Sequence, residues 1–346
     1  RHDVTRDDLA DHIMRARNAA LGRSEHHMKV GALSWDKQNI LGQSNSSVFK
    51  GMYNNIKVCA IKKITHSGMP AERQCCEEEV KRLVALQDIP NNLNLIQYYA
   101  HVERADCLYV AMELADCGTL RDLIKRGDLG SWGQRKHFCR QLCRGLLTLH
   151  NKASIVHRDL KPENVLFVTT TKGRSVGGSG GVAAAREDSY YPFTLKIADF
   201  GLSRSIKASQ SKIVTSAGAG TEMWRPPEGP TTREYTFSYD VHPCGSLMYF
   251  ILSGGEHAFG GNSSFQIQKN LFEGKHKRKL KAFTEHCAEA SKFVVGAGET
   301  KASARGANGG VRGAGVTLVA EWKRKMAMHL IDRMLSQSGA RLCTAR

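Results

Sequence analysis

No run of apolar residues in the chain approaches the roughly 18 needed to cross a bilayer, and no signal peptide opens it. No membrane contact is therefore expected within these residues, which says nothing of residues beyond them. Acidic residues are in deficit: 33 Asp and Glu against 50 Lys and Arg leave a formal charge of +17. Such a surplus favours anionic partners such as nucleotide, RNA, anionic lipid or acidic protein, with a merely solvated basic surface as the alternative. The ten Cys include no C-x-x-C pair; Cys75 and Cys76 are adjacent, and Cys139 and Cys143 lie one helical turn apart. That pattern speaks for a reduced, intracellular compartment over a disulfide or thiol–metal framework. What remains is ordinary for a soluble globular protein, with 41% hydrophobic and 24% charged residues. The length of 346 residues corresponds to roughly two domains of about 150 each, ample for a core.

Residues 1–30 read as a charged lead-in with one helix-like patch at Leu9 and Ile13. From Trp35 the pattern is short strands and turns. Ile40-Leu41-Gly42 enters a loop of small polar residues, and Val48-Phe49-Lys50-Gly51 resumes the strand. Glycine is scarce in that loop, although Ser and Asn also support a turn; a plain hairpin and a phosphate cover both fit. Val58 to Lys62 is strand-like, and a Lys ending a buried strand is costly unless paired. Glu77, Glu78 and Glu79 on the next helix, Glu72 to Gln87, offer partners. Its stripe is Val80, Leu83, Val84 and Leu86.

Leu108 to Met112 reads as a buried strand, and Glu113 to Gly118 as a turn. Thr119 to Lys125 begins a helix. Ser131-x-x-Gln134 has the form of a capping box, and Phe138, Leu142, Leu146 and Leu149 carry a long amphipathic helix to about His150. Residues 169–192 and 296–315 are Gly/Ala-rich insertions of low complexity. Residues 172–188 are expected to be dispensable for folding. Asp240 precedes an apolar helix over Leu247 to Leu252, near whose start Pro243 is tolerable only in the first turn. Residues 274–281 are a basic run, read either as a nucleic-acid or acidic-partner patch or as a solvated segment. Trp322, Met326, Leu330, Ile331 and Met334 form a last helical stripe.

Three short motifs stand in one order: Ala60-Ile61-Lys62, His157-Arg158-Asp159-Leu160-Lys161-Pro162-Glu163-Asn164, and Asp199-Phe200-Gly201. Together they resemble the eukaryotic protein-kinase family from Trp35 to the C-terminus. Ser44-Asn45, Gly220-Thr221-Glu222-x-Trp224 and Ser253-Gly254-Gly255-x-His257-x-Phe259-Gly260 resemble one branch more closely. That branch is the inositol-requiring ER-stress sensor kinase/endoribonucleases.

The resemblance implies an α+β, two-lobe protein-kinase-like fold: a mainly β lobe over about 31–113, with five strands and one helix, then a mainly α lobe over about 114–346. It implies ATP and Mg²⁺ as cofactors, with Lys62 and Glu79 clamping the phosphates and Asn164 and Asp199 holding the metal. Asp159 is then the catalytic base, and Lys161 stabilises the transferring group. Leu41, Gly42 and Val48 cover the nucleotide. Ala60, Met112, Glu113, Ala115 and Leu166 frame its base, although Met112 alone is equally a core residue. Arg341 falls where the family pairs a final Arg with Glu228.

The implied function is ATP-dependent transfer to Ser/Thr hydroxyls of proteins, including the chain itself in trans, within a homodimer on the cytosolic side of the endoplasmic reticulum membrane. RNA enters only through a nuclease domain that this chain lacks. Two other readings stay open: a nucleotide-gated dimerisation module or pseudokinase, favoured by the glycine-poor loop, and an RNA-binding protein using the basic surface. Ser209, Ser211 and Thr215 are candidate autophosphorylation sites, with Arg158 as the receiving cation.

Overall fold

The computed structural model describes residues 26–43, 46–67, 69–90, 92–104, 106–169, 192–207, 209–261, 263–273, 275 and 331. The expectations for the lead-in patch, Ser44-Asn45, residues 172–188, residues 296–315 and Arg341 lie outside them. So do those for most of the basic run and all of the last helix but Ile331.

The chain forms two compact units, each assembled from several segments. The first comprises residues up to Thr119, Arg144–Ala153 and Leu166–Ser203; the second comprises Leu120–Cys143, Ser154–Val165 and the remainder from Arg204.

In the first unit an antiparallel sheet runs in the order β1-β2-β3-β4-β6-β5. Its strands are β1 (His27–Val30), β2 (Leu33–Gln43), β3 (Ser47–Tyr53), β4 (Lys57–Thr65), β5 (Tyr98–Glu103) and β6 (Cys107–Met112). Six strands replace the expected five, because β1 lies inside the stretch read as a lead-in. His27-Met28-Lys29-Val30 is too short and polar to announce a strand. It is held by antiparallel pairing with β2, from His27 opposite Asp36 to Val30 opposite Leu33. Alternation along the strands sends Leu33, Trp35, Phe49, Cys59, Ile61, Tyr109 and Ala111 into one buried cluster. At its centre the rings of Trp35 and Tyr109 are 4.9 Å apart.

Helix α1 (Pro70–Gln87) packs against β5. It starts two residues earlier than expected, since Pro70 occupies a first-turn position where its missing N–H costs nothing. Its buried residues are Glu79, Val80, Arg82, Leu83 and Leu86. Val84 falls beyond the edge of that arc and is exposed, against expectation.

The first unit also contains a small sheet in the order β10-β9-β7, from β7 (Gly118–Thr119), β9 (Val165–Thr169) and β10 (Phe193–Ile197). The Asn94 side-chain amide donates to the Leu195 carbonyl at 2.9 Å, and the Ile197 N–H donates to the Asn94 carbonyl at 2.9 Å. These bonds join β10 to the first unit. β10 is distant in sequence yet belongs with the strands that precede it.

Helix α2 (Leu120–Arg126) and helix α3 (Trp132–Asn151) follow β7. The capping box is realised: the Ser131 N–H donates to Gln134 Oε1 at 2.8 Å, and the Gln134 N–H donates to Ser131 Oγ at 3.4 Å. Phe138, Leu142, Leu146 and Leu149 are all buried, each stabilising by roughly 1.5–3 kcal/mol.

In the second unit β8 (Ile155–Val156) pairs with β11 (Arg204–Ser205), and β12 (Ile213–Val214) with β13 (Glu234–Tyr235). Helix α4 runs Val241–Ser253, well before the expected start at Leu247. Pro243 falls in its first turn, which is why His242 to Gly245 join it despite lacking an apolar pattern. The helix is buried from His242 to Leu252. It ends at Gly254 in the left-handed region, φ 83°, with the Gly255 N–H donating to the Phe250 carbonyl at 2.8 Å. Helix α5 (Ser264–Phe272) is capped by Ser263 Oγ, which accepts from the Gln266 N–H.

Candidate active site

The first unit builds a cation clamp. Lys62 is on β4, and its Nζ lies 2.8 Å from Glu79 Oε1 on α1 and 2.9 Å from Asp199 Oδ1 after β10. Of the three candidate glutamates, Glu79 is the one brought to Lys62. Burial alone would push the Lys62 ammonium down; the two carboxylates outweigh it and hold the group above its ordinary range. Asp199 sits at φ 65°, a left-handed conformation uncommon outside glycine and asparagine.

Most of the other residues expected to hold nucleotide lie in the same unit. Leu41 and Gly42 end β2, exposed, with Gly42 opposite Val48 after a register shift. Ala60 is buried and pairs with Met112. Met112, Glu113, Ala115 and Leu166 are each half-buried, and Leu166 pairs with Thr119.

Lys196 on β10 was not foreseen in any role. Its buried ammonium lies 3.0 Å from Glu113 Oε2, and the same oxygen accepts the Gln97 N–H at 3.2 Å. Glu113 is thus tied to the strand that carries Asp199. Lys196→Met should cost about 3 kcal/mol in urea unfolding, because it strands the Glu113 carboxylate. Lys196→Met combined with Glu113→Leu should regain most of that; a double variant no more stable than the single one would refute the pairing.

The second unit builds an acid-centred network around Asp159. Oδ1 accepts the Thr221 N–H at 2.8 Å and the Thr221 hydroxyl at 2.7 Å. Oδ2 lies 2.8 Å from Lys161 Nζ and accepts the Asn164 amide at 3.2 Å. Every partner is a donor, so both carboxylate oxygens act as acceptors. The Asn164 amide also donates to the Asp159 carbonyl at 2.8 Å, which leaves its oxygen as the end able to ligate. Lys161, Asn164 and Asp159 are therefore together, while Lys62, Glu79 and Asp199 form the clamp of the other unit.

Thr221 is a partner that sequence reading missed. Gly220 precedes it at φ 93°, and a Cβ there would meet the Arg158 carbonyl oxygen at 2.4 Å. Only glycine lets this segment approach the loop closely enough for Thr221 to reach Asp159. The other missed residue is Asp240, fully buried at the start of α4. Its carboxylate accepts the His157 N–H at 2.7 Å and the Arg158 N–H at 2.8 Å. Arg158 is held at φ 69°, a strained conformation that this anchoring sustains. Asp240→Ala should lower stability by about 3 kcal/mol, since each hydrogen bond to a charged group contributes about 1.5–3. Urea unfolding measures this, and a change below about 1 kcal/mol would contradict the anchor.

The guanidinium of Arg158 lies 4.8 Å from the Tyr235 ring centre. Burial, then the neighbouring Arg204 charge, push it down to about 10. The two branch-specific motifs also meet: the Trp224 and His257 rings are 4.7 Å apart, and His257 Nε2 lies 3.1 Å from the Met223 carbonyl oxygen. Burial raises the Glu228 carboxyl above its ordinary value, and its Oε2 has no partner among the described residues.

The Asp199 carboxylate in the first unit and the Asn164 amide oxygen in the second are each hard oxygen donors, of the kind that suits a divalent cation rather than a soft metal. A β-rich unit with a Lys–Glu–Asp clamp, and a helix-rich unit with a carboxylate, a lysine and an amide on one loop, define an ATP-using phosphotransferase of the two-lobe kind. The chain belongs to the protein kinase family: the family model described as the protein kinase domain matches residues 35–346.

Among curated proteins it is similar to the serine/threonine-protein kinase/endoribonuclease IRE2 of Homo sapiens. Identity is 28% over 257 residues, covering 71% of this chain and 24% of that protein. It is also similar to the serine/threonine-protein kinase/endoribonuclease ireA of Aspergillus fumigatus, at 29% over 245 residues, covering 60% of this chain and 20% of that protein. Similarity to the sensor for unfolded proteins in the ER ire1 of Schizosaccharomyces pombe is 27% over 259 residues, covering 68% and 22%. The chain thus spans about a quarter or less of the length of these relatives. No helix among the described residues is long and apolar enough to cross a membrane.

Proposed function

We propose that this chain transfers the terminal phosphoryl group of ATP to serine and threonine hydroxyls of proteins, as the kinase part of an ER-stress sensor. The observation that carries the reading is the Asp159 carboxylate, fixed by Thr221 on one oxygen and by Lys161 and Asn164 on the other. A base so held has one orientation in which to accept a hydroxyl proton, and positioning of this kind lowers the barrier. Lys161, beside it, offsets charge on the transferring group. Lys62, positioned by Glu79 and Asp199, binds the phosphates. Asn164 and Asp199 would hold a divalent cation, which when bound neutralises phosphate charge. The similarity to a sensor for unfolded proteins in the ER supports the stress-sensing assignment and an association with the endoplasmic reticulum; we infer in addition a dimer in which one copy phosphorylates the other.

Autophosphorylation is assigned to the segment after Asp199. Ser209 and Ser211 are exposed and Thr215 is half-buried. Arg158 and Arg204 supply neighbouring cations able to receive a phosphate in charge-assisted pairs. Mass spectrometry after incubation with Mg·ATP should find phosphate on Ser209, Ser211 or Thr215 in the parent and none in Asp159→Asn. Phosphate confined to other segments would remove this assignment.

A further inference from the structure

Thr221 reaches Asp159 from a segment whose own backbone does not fix its place. Gly218 and Gly220 flank Ala219, both in the left-handed region, at φ 79° and 93°. Glycine restricts the backbone least of all residues, so the position of Thr221 is set by what grips Ala219 from outside. Two buried tyrosines do so. The Tyr235 hydroxyl accepts the Ala219 N–H at 3.4 Å and donates to the Ser216 carbonyl at 2.9 Å. The Tyr239 hydroxyl donates to the Ala219 carbonyl at 2.7 Å. Just upstream, Arg225 Nη1 donates to the Gly218 carbonyl at 3.0 Å. The two tyrosine rings meet edge to face with centres 4.8 Å apart, in a buried cluster with Val156 and Ile206.

The grip continues into the catalytic loop. Tyr239 and Asp240 are neighbours in one turn of 3₁₀ helix, Phe237–Asp240. The Asp240 carboxylate holds the His157 and Arg158 N–H groups, next to Asp159. Tyr239 holds the peptide two residues before Thr221. One short turn therefore sets both partners of the Asp159–Thr221 contact. The Thr221 hydroxyl in turn donates to Asp159 Oδ1 at 2.7 Å and accepts from Lys161 Nζ at 2.9 Å.

We propose that Tyr239, assisted by Tyr235, is a positioning residue for phosphoryl transfer: its hydroxyl fixes Ala219 between two glycines and so seats the Thr221 hydroxyl between Asp159 and Lys161. The effect on rate rests on the phosphotransfer reading; the effect on the segment rests on the hydrogen bonds alone. A tyrosine serving only the packing of the cluster would lose stability as phenylalanine and leave the turnover of the folded protein unchanged.

The test compares the parent with Tyr239→Phe, Tyr235→Phe, Thr221→Val and Tyr239→Phe combined with Thr221→Val. Phenylalanine keeps the ring and removes only the hydroxyl. Tyr239→Phe should lower kcat about tenfold, a part of the roughly 10²-fold that a misplacement of about 1 Å can cost. KM for ATP should stay at the parental value, because Lys62, Glu79 and Asp199 are untouched. Once Thr221 is valine, the same change should alter kcat by no more than about twofold, since a residue acting through another is not additive with it. Ile206→Val trims the same buried cluster without touching a hydroxyl and should leave kcat unchanged. Amide hydrogen exchange gives a readout independent of turnover: protection over residues 216–221 should fall in both tyrosine variants and not in Ile206→Val.

Parental kcat in Tyr239→Phe, an equal loss in Ile206→Val, or a tenfold loss that persists in the Thr221→Val background would overturn the proposal. Where Tyr239→Phe does not fold, Tyr235→Phe decides by the same comparisons. A parent that transfers no phosphate would fail the phosphotransfer reading; exchange then decides the positioning, with lost protection sustaining the grip on Thr221 and unchanged protection overturning it.

Discussion

Asp159→Asn is expected to reduce phosphoryl transfer by about 10³-fold, within the 10²–10⁴ that a positioned base contributes. ATP binding should stay close to that of the parent, because Lys62, Glu79 and Asp199 are untouched. The geometry explains why the near-isosteric change is severe. Asp159 receives donors on both oxygens, from Thr221 on one side and from Lys161 and Asn164 on the other. Whichever way an asparagine amide turns, its NH₂ faces a donor. The variant loses the base and also disturbs the contacts that fix the loop, at about 1–3 kcal/mol. Initial-rate assays with Mg·ATP, paired with a nucleotide titration, separate the two effects. Turnover within tenfold of the parent would remove Asp159 from the mechanism and favour the nucleotide-gated module.

Lys62→Met should be the most damaging change in the first unit. Met keeps much of the Lys volume but strands the Glu79 carboxylate, whose side chain is 9% exposed. Breaking such a pair costs about 3–5 kcal/mol, and loss of a cation aimed at phosphate should lower transfer by at least about 10². Adding Glu79→Leu should restore stability without restoring transfer, which distinguishes a functional lysine from a structural one. Recovery of both, or parental ATP affinity in the single variant, would contradict the clamp. The pH dependence has a definite sign. The folded Lys62 ammonium is held above its unfolded value, so its contribution is whole below the ordinary lysine range and is lost only as pH rises through the raised value. Chemical denaturation between about pH 6 and 9 should show no loss of stability from this pair.

Much of this arrangement was legible in the residues because it is local. Asp159, Lys161 and Asn164 sit within six positions, so one loop brings them together. The stripe of Phe138, Leu142, Leu146 and Leu149 follows helical geometry alone, and the Ser131–Gln134 capping box depends only on adjacent backbone. A lysine on a strand of buried pattern demanded an acidic partner on energetic grounds, although β4 runs on past Lys62 to Thr65.

Helical spacing alone left three neighbouring glutamates open; the kinase resemblance pointed to Glu79, and the docking of α1 is what brings that one to Lys62. Val84 failed for the same reason: the apolar period was present, but the buried arc is centred on Glu79, Leu83 and Leu86. β1 escaped notice because His27–Val30 carries little apolar signal and exists through its pairing with β2. The extra turn of α4 depended on Pro243 occupying a position where it costs no hydrogen bond.

By itself, then, the sequence determined the residue types, the order of the motifs and the periodic faces, since these follow from neighbours along the chain. Tertiary structure alone decided that Thr221 reaches Asp159 across 62 positions, that Asp240 holds the catalytic loop across 82 and 83, and that Lys196 pairs with Glu113. Each is a contact between segments whose spacing carries no periodic signal, and each forms because a buried charge or donor must find its partner wherever the packed chain puts one.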